Sequence, residues 1–299
     1  MSAWLPTAPC TPEDCVAAPH PAVGPGRQLL RAASCAALLL AGAALAPLVR
    51  GCCTPVLRER LVRRWARLVI GSLGVELRAG PAPRTDGGVR TDRGVRTDRG
   101  VLLVANHVSW LDILLVAAVR PSRMLAKTEV RAWPLLGPVA AWAGTLFLDR
   151  DRLRTLPATV DAIAAALRRG ERVAVFPEGS TWCGRRGGRF RPALFEAAVR
   201  AGATVQPMAL SYRLADGRTA TVAAFVGEDG LLSSLRRVLA ARGLVAEVEF
   251  RAPIPAGAVG RRELAAAAQA AVFGTPVLPA PAAPVESVRH VADRLPAAA

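Results

Sequence analysis

"VLLVANHVSWLDI", residues 101–113, places two ionisable side chains, His107 and Asp112, in an otherwise apolar stretch. The opening "VLLVA" is a short continuous apolar run, the pattern of a strand buried on both faces. The polar pair begins where that strand ends, with Asp112 in the first turns of a following helix. In open α/β sheets, ligands gather at the carboxyl ends of strands. Three readings share this spacing: a polar pair satisfied in a core, a metal-ligand pair, or a base held by its carboxylate. In the last, the carboxylate fixes the imidazole tautomer and raises its basicity, which equips His107 to take a proton from a hydroxyl.

Working outward, similar runs recur at 145–149, 172–176, 204–210, 220–226 and 245–250. Helical periodicity over 153–169, 191–201, 231–242 and 261–273 separates several of them, with Gly170 and Gly202 as C-caps of the first two. The alternation predicts an α/β fold, a mostly parallel twisted sheet covered by helices. Two further helices precede it, one apolar and one basic and amphipathic. The apolar one is "RAASCAALLLAGAALAPLVR" (31–50), uncharged between its arginines and close to bilayer-spanning length. It reads as a membrane-embedded or interfacial helix, or as a buried core helix. In "VLRERLVRRWARLVI" (56–70), Leu57, Leu61, Val62, Trp65, Leu68 and Val69 form a stripe, and Arg58, Arg60, Arg63, Arg64 and Arg67 cover much of the rest. That pattern suits an anionic membrane surface, or a solvated arginine face over a core stripe.

Residues 1–26, rich in Pro and Ala without periodicity, are expected to be disordered, as is the Pro/Ala-rich tail 274–299. Residues 27–75 are expected to form a membrane-associating helical segment and 76–273 the domain that carries the candidate chemistry. Within the latter, 84–101 repeats "RTDGGV", "RTDRGV", "RTDRGV", too short and Gly-rich to build a core, and reads as a loop insertion.

Arginine and lysine number 39 against 23 acidic residues, for a formal charge of +16, and Lys127 is the single lysine. Such a balance favours an anionic partner. Aromatics at 5% give little material for base stacking, so lipid or phosphate is expected rather than nucleic acid. Cys10, Cys15, Cys35, Cys52, Cys53 and Cys183 show no C-x-x-C spacing, and read as neither a disulfide framework nor a zinc site. His107 is the only histidine outside the loose ends that hold His20 and His290, and no ligand cluster surrounds it in sequence. No metal or other cofactor is expected, and no G-x-S-x-G elbow points to a serine hydrolase.

Two more sites invite a phosphate. "VAVFPEGSTWCGRRGGRFRP" (173–192) leaves a strand at Pro177, carries Glu178, Gly179 and Ser180 into a Gly-rich loop, and adds Arg185, Arg186, Arg189 and Arg191. Exposed amides and guanidinium groups suit an anion, although a solvated basic loop has the same composition. "GTLFLDR" (144–150) ends a strand on Arg150.

Together "NHVSWLD", "GTLFLDR", "FPEGST" and "VQPMAL" (205–210) resemble, in order, the four motifs of the lysophospholipid and glycerol-phosphate acyltransferases. The resemblance implies that His107 is the general base, Asp112 orients it, and the acceptor hydroxyl attacks a thioester directly. It implies acyl-coenzyme A or acyl carrier protein as co-substrate and a lysophospholipid acceptor, commonly 1-acyl-glycerol-3-phosphate giving phosphatidic acid. It further implies acceptor binding by Arg150, Glu178, Gly179 and Ser180, with Arg185 and Arg186 as nearby substitutes for a missing charge, and work at the cytoplasmic face of the membrane. The third motif departs from the usual Phe-Pro-Glu-Gly-Thr-Arg-Ser: Ser180 replaces Thr, Thr181 stands where arginine is usual, and Trp182 where a small residue is usual. This opens other acceptors, lyso-ornithine lipid among them. A catalytically idle member of the fold is expected to lose the dyad or the glycine loop, and both are present.

Overall fold

The computed structural model describes residues 7–19, 21–81, 89–90, 96–97, 100–128, 137, 144–148, 153–257 and 259–274. The strands are β1 (Val75–Ala79), β2 (Val89–Arg90), β3 (Arg96–Thr97), β4 (Val101–Ala105), β5 (Arg123–Lys127), β6 (Leu146–Leu148), β7 (Arg172–Val175), β8 (Thr204–Leu214), β9 (Leu244–Phe250) and β10 (Ile254–Pro255). Eight form one sheet in the order β1-β9-β8-β4-β7-β5-β6, with β10 paired to β8, while β2 and β3 pair only with each other inside the repeat. Among the described residues, antiparallel strand pairing within the large sheet is limited to β8 with β9 and with β10. The rest is parallel, as expected from the alternation of strand and helix.

Strand β4 lies at the centre, between β7 and β8. Val101, Leu103 and Ala105 enter one core layer and Leu102 and Val104 the other, which explains a run without alternation. The first layer is closed by α3 (Pro55–Ser72), α4 (Leu111–Val119) and α7 (Leu231–Ala240), through Ile70, Leu115 and Leu239 among others. The second is closed by α5 (Leu156–Arg168), α6 (Phe195–Ala201) and α8 (Arg261–Phe273), through Ile163, Leu167, Phe195 and Leu264. Each fully buried leucine or isoleucine contributes about 1.5–3 kcal/mol relative to exposure. Gly170 and Gly202 follow α5 and α6 with positive φ, at 80° and 57°.

Several expectations are corrected. Residues 220–226 form no strand. They are a buried loop whose Ala220 and Phe225 amides donate to Tyr212 and Val108, an apolar run signalling burial rather than backbone shape. Strands β1 and β5 escape the pattern because both are short and carry charges. Part of the N-terminal segment expected to be disordered is packed instead. Cys10 is buried beside the four-residue α1 (Pro12–Cys15), Ala17 N–H donates to Thr221, and Val23 N–H donates to Ala240. Composition misled because contacts with a distant loop hold this arm. Most of the repeat, Arg150 and the tail from 275 lie outside the described residues.

The apolar helix α2 runs from Pro25 to Cys52 and turns directly into α3. Arg31 ties its base to the Leu239 and Ala241 carbonyls, and Trp65 Nε1 of α3 donates to Leu38, so the two helices form a hairpin rooted on the domain. Only 6% of the apolar window of α2 is buried, which removes the core-helix reading. On α3 the inward residues are Ala66, Val69 and Ile70, and Leu57, Leu61 and Leu68 of the stripe face outward.

Candidate active site

Strand β4 delivers Asn106 to the sheet edge, where its side chain exchanges two hydrogen bonds with the Leu210 backbone and continues the pairing with β8. His107 follows, and α4 begins four residues later. Its first turn places the Asp112 carboxylate back under the loop, wholly buried. Oδ2 lies 2.8 Å from His107 Nδ1 and accepts the Val108 and Ser109 amides at 2.7 and 2.9 Å. Oδ1 accepts the Tyr212 hydroxyl at 2.6 Å. Four donors thus compensate the desolvation of a buried carboxylate. With Nδ1 engaged, Nε2 is the nitrogen left for a substrate proton.

The Phe176 ring stacks on His107, with centroids 4.1 Å apart and planes 8° from parallel. Trp182 N–H donates to the His107 carbonyl and Phe225 N–H to that of Val108, clamping the loop between two others. The structure gives Glu178 a positioning task. It is buried, and its two oxygens accept the His107 and Gly188 amides, each at 2.6 Å, joining the histidine loop to the Gly-rich loop. Burial pushes its carboxyl up to about 8 against those two donors, with the nearby Asp112 charge adding to the rise. Gly179 turns at φ 76°, a conformation that side chains resist. Ser180 is half-buried, and Arg185 and Arg186 are exposed farther along the same loop.

Tyr212 was not singled out in sequence. It is the chain's one tyrosine, and alternation along β8 puts it on the face of Met208 and Leu210 in the first core layer. Burial first, then the Asp112 charge, raises its hydroxyl well above the usual tyrosine value, so it remains a donor. The fold also gathers three cysteines of unremarkable spacing, the sulfurs of Cys10, Cys15 and Cys183 all lying within 4.8 Å of one another. Burial pushes the Cys10 thiol up to about 12. At Cys183 burial is outweighed by the Arg185 amide, the Cys10 side chain, the Arg186 amide and the Cys15 side chain, so that thiol lies below its ordinary value.

Residues 88–211, which contain His107, Asp112 and Glu178, match the family model described as Acyltransferase. The chain is 39% identical over 264 residues to a lyso-ornithine lipid O-acyltransferase of Pseudomonas aeruginosa, covering 83% of this chain and 95% of the relative. It is 37% identical over 201 residues to a 1-acyl-sn-glycerol-3-phosphate acyltransferase of Neisseria meningitidis, covering 67% and 73%. The chain belongs to the lysophospholipid acyltransferase family. It is an O-acyltransferase. The crystal structure of the 1-acyl-sn-glycerophosphate acyltransferase PlsC from Thermotoga maritima shares the fold, with a TM-score of 0.53, 16% identity and coverage of 81% of this chain and 94% of that one.

Within this acyltransferase the departures in the third motif acquire a structural meaning. The Thr181 hydroxyl donates to the Phe225 carbonyl, so the side chain is spent on tethering two loops. The Trp182 indole lies against Gly188, where even a Cβ would come within 2.4 Å of its nitrogen.

Proposed function

We propose that the enzyme transfers a fatty acyl group from acyl-coenzyme A or acyl carrier protein to the free hydroxyl of 1-acyl-glycerol-3-phosphate, giving phosphatidic acid. The observation that carries this reading is the His107–Asp112 contact, with imidazole and carboxylate both locked by the backbone around them. His107 Nε2 takes the hydroxyl proton as the oxygen attacks the thioester carbonyl. The C–O bond forms, the C–S bond breaks, and the thiolate leaves with the proton returned by His107. Asp112 holds the tautomer and offsets the transient imidazolium charge. Gly179, Ser180, Arg185 and Arg186, with Arg150, receive the acceptor's anionic head. Glu178 keeps the two loops in register.

A second acceptor, lyso-ornithine lipid, is favoured by Thr181. An uncharged, backbone-tethered side chain where a cation is usual suits a head group carrying a carboxylate and an amine rather than a phosphate.

The hairpin supports membrane attachment. Its base is fixed to the domain at both ends, so its tip at Cys53–Thr54 is distal. Outward leucines on α2 and α3 favour the acyl region, while exposed Arg60, Arg64 and Arg67 favour anionic head groups at the cytoplasmic face. The hairpin then lies in one leaflet, because several arginines on α3 oppose deep insertion.

The acceptor is tested by thiol release from acyl-coenzyme A with each lyso-lipid in mixed micelles. Faster turnover with 1-acyl-glycerol-3-phosphate supports the first reading, and faster turnover with lyso-ornithine lipid replaces it with the second.

A further inference from the structure

We propose that Cys10, Cys15 and Cys183 form a thiolate site for one divalent ion, zinc by its chemistry, which staples the N-terminal arm to the Gly-rich loop beside the active site. The three sulfurs form a triangle with no side above 4.8 Å. Around a tetrahedral zinc with bonds of about 2.3 Å, sulfurs sit roughly 3.8 Å apart, so each side closes by at most about 1 Å. Such a shift lies within side-chain rotation.

Local structure explains how the triangle arises. Thr11 caps the single turn Pro12–Cys15, its hydroxyl accepting the Asp14 amide, and this turn folds Cys15 back toward Cys10. Cys183 arrives from the loop after β7, three residues beyond Ser180. Cys10 and Cys183 are each 3% exposed, and Cys15 is half-buried. Backbone amides also point at the sulfurs: that of Cys183 at Cys10, and those of Arg185 and Arg186 at Cys183. Amide donors aimed at sulfur are the outer partners that hold metal thiolates in place. Packing of a buried thiol as a small hydrophobe explains one such residue, but not three converging from two distant segments.

Three thiolates and a divalent ion carry a net negative charge, and the loop supplies Arg185 and Arg186 close by. Water completes the fourth position. A single disulfide uses two of the three sulfurs and assigns nothing to the third, so the triangle favours an ion. The ion would fix the loop that carries both arginines.

The test uses the full chain in detergent, reduced with a phosphine, stripped with a chelator and titrated with Zn²⁺ alone. One equivalent should bind, and Co²⁺ in its place should show thiolate-to-cobalt charge-transfer absorption. Cys10→Ser and Cys183→Ser should weaken zinc binding by more than the ~10–100-fold typical of losing an outer partner. The double variant Cys52→Ser/Cys53→Ser, outside the triangle, should bind as wild type. Failure of wild type to bind zinc overturns the proposal, and this readout needs no variant to fold. Equal binding by Cys183→Ser overturns it too. So does peptide mapping that finds a disulfide within the triangle and no bound metal, which would make the cluster a redox pair.

Discussion

The histidine loop and the α2–α3 hairpin invert the usual partition of polar and apolar groups in opposite directions. Around His107 the protein buries a carboxylate completely and surrounds it with four donors. On the hairpin it leaves Leu29, Leu40 and Leu48 at 72, 56 and 59% exposure, with nothing over them among the described residues. Burying charge costs free energy that only an organised set of partners offsets, and exposing leucines to water costs free energy that a lipid phase removes. Each region is understood by asking what its cost secures. On the proposed function, the loop's cost secures a fixed base, and the hairpin's secures attachment to the phase where the acceptor resides.

If that contrast holds, substitutions in the loop should act on chemistry and those in the hairpin on substrate access. The largest effect is expected from His107→Ala. Loss of a general base removes roughly 10²–10⁴ in rate, so turnover should fall at least that far while circular dichroism and melting temperature stay near wild type. Turnover within tenfold of wild type would refute the base assignment.

Asp112→Asn comes next. The amide either turns its NH2 on the Val108 and Ser109 N–H donors, or turns it on the Tyr212 hydroxyl and leaves those two amides and His107 an uncharged oxygen. We expect a rate loss of about 10²-fold or more and a lower melting temperature, since a hydrogen bond to a charged group is worth about 1.5–3 kcal/mol. Tyr212→Phe removes one of those bonds and should show the same two changes at smaller size. An unaltered pH–rate profile in Tyr212→Phe would separate the tyrosine from the dyad.

For the hairpin, Leu57→Ser/Leu61→Ser/Leu68→Ser should lower vesicle flotation and raise the apparent KM for a long-chain acceptor several-fold. Melting temperature and kcat on a short-chain, water-soluble acceptor should hardly move, because these leucines are outside the core. A large drop in stability would instead place them in a protein interface.

The smallest effect on turnover is expected at Glu178, whose signature is instead a pH slope in stability. Its folded value, about 8, lies above the ordinary 4.5, so its protonation favours the folded state. That contribution is complete below about 4.5 and lost as pH rises through 8. Melting temperature should therefore fall more across that window for wild type than for Glu178→Gln, and parallel curves would remove Glu178 as the cause.

Much of this was legible in the sequence because it is local. The run 101–105 reads as a doubly buried strand, and His107 and Asp112 are near enough in sequence that one helical turn sets their meeting. Glu178 was visible as part of "FPEGST", but its task was not. Its partners are backbone amides of residues 107 and 188, and backbone partners leave no mark on composition. Tyr212 was invisible for a related reason, since its contact with Asp112 crosses from β8 to α4.

By itself, then, the sequence determined the alternation of strands and helices, the dyad, and the existence of an apolar and a basic helix, all of which follow from periodicity over a few turns. Only the tertiary structure decided that the apolar segment 220–226 is a loop, that Leu57, Leu61 and Leu68 of the α3 stripe face outward while Val69 faces in, and that Cys10 and Cys15 meet Cys183. Those outcomes depend on which distant surface a segment packs against, and that choice is made by the whole chain burying its apolar area at once.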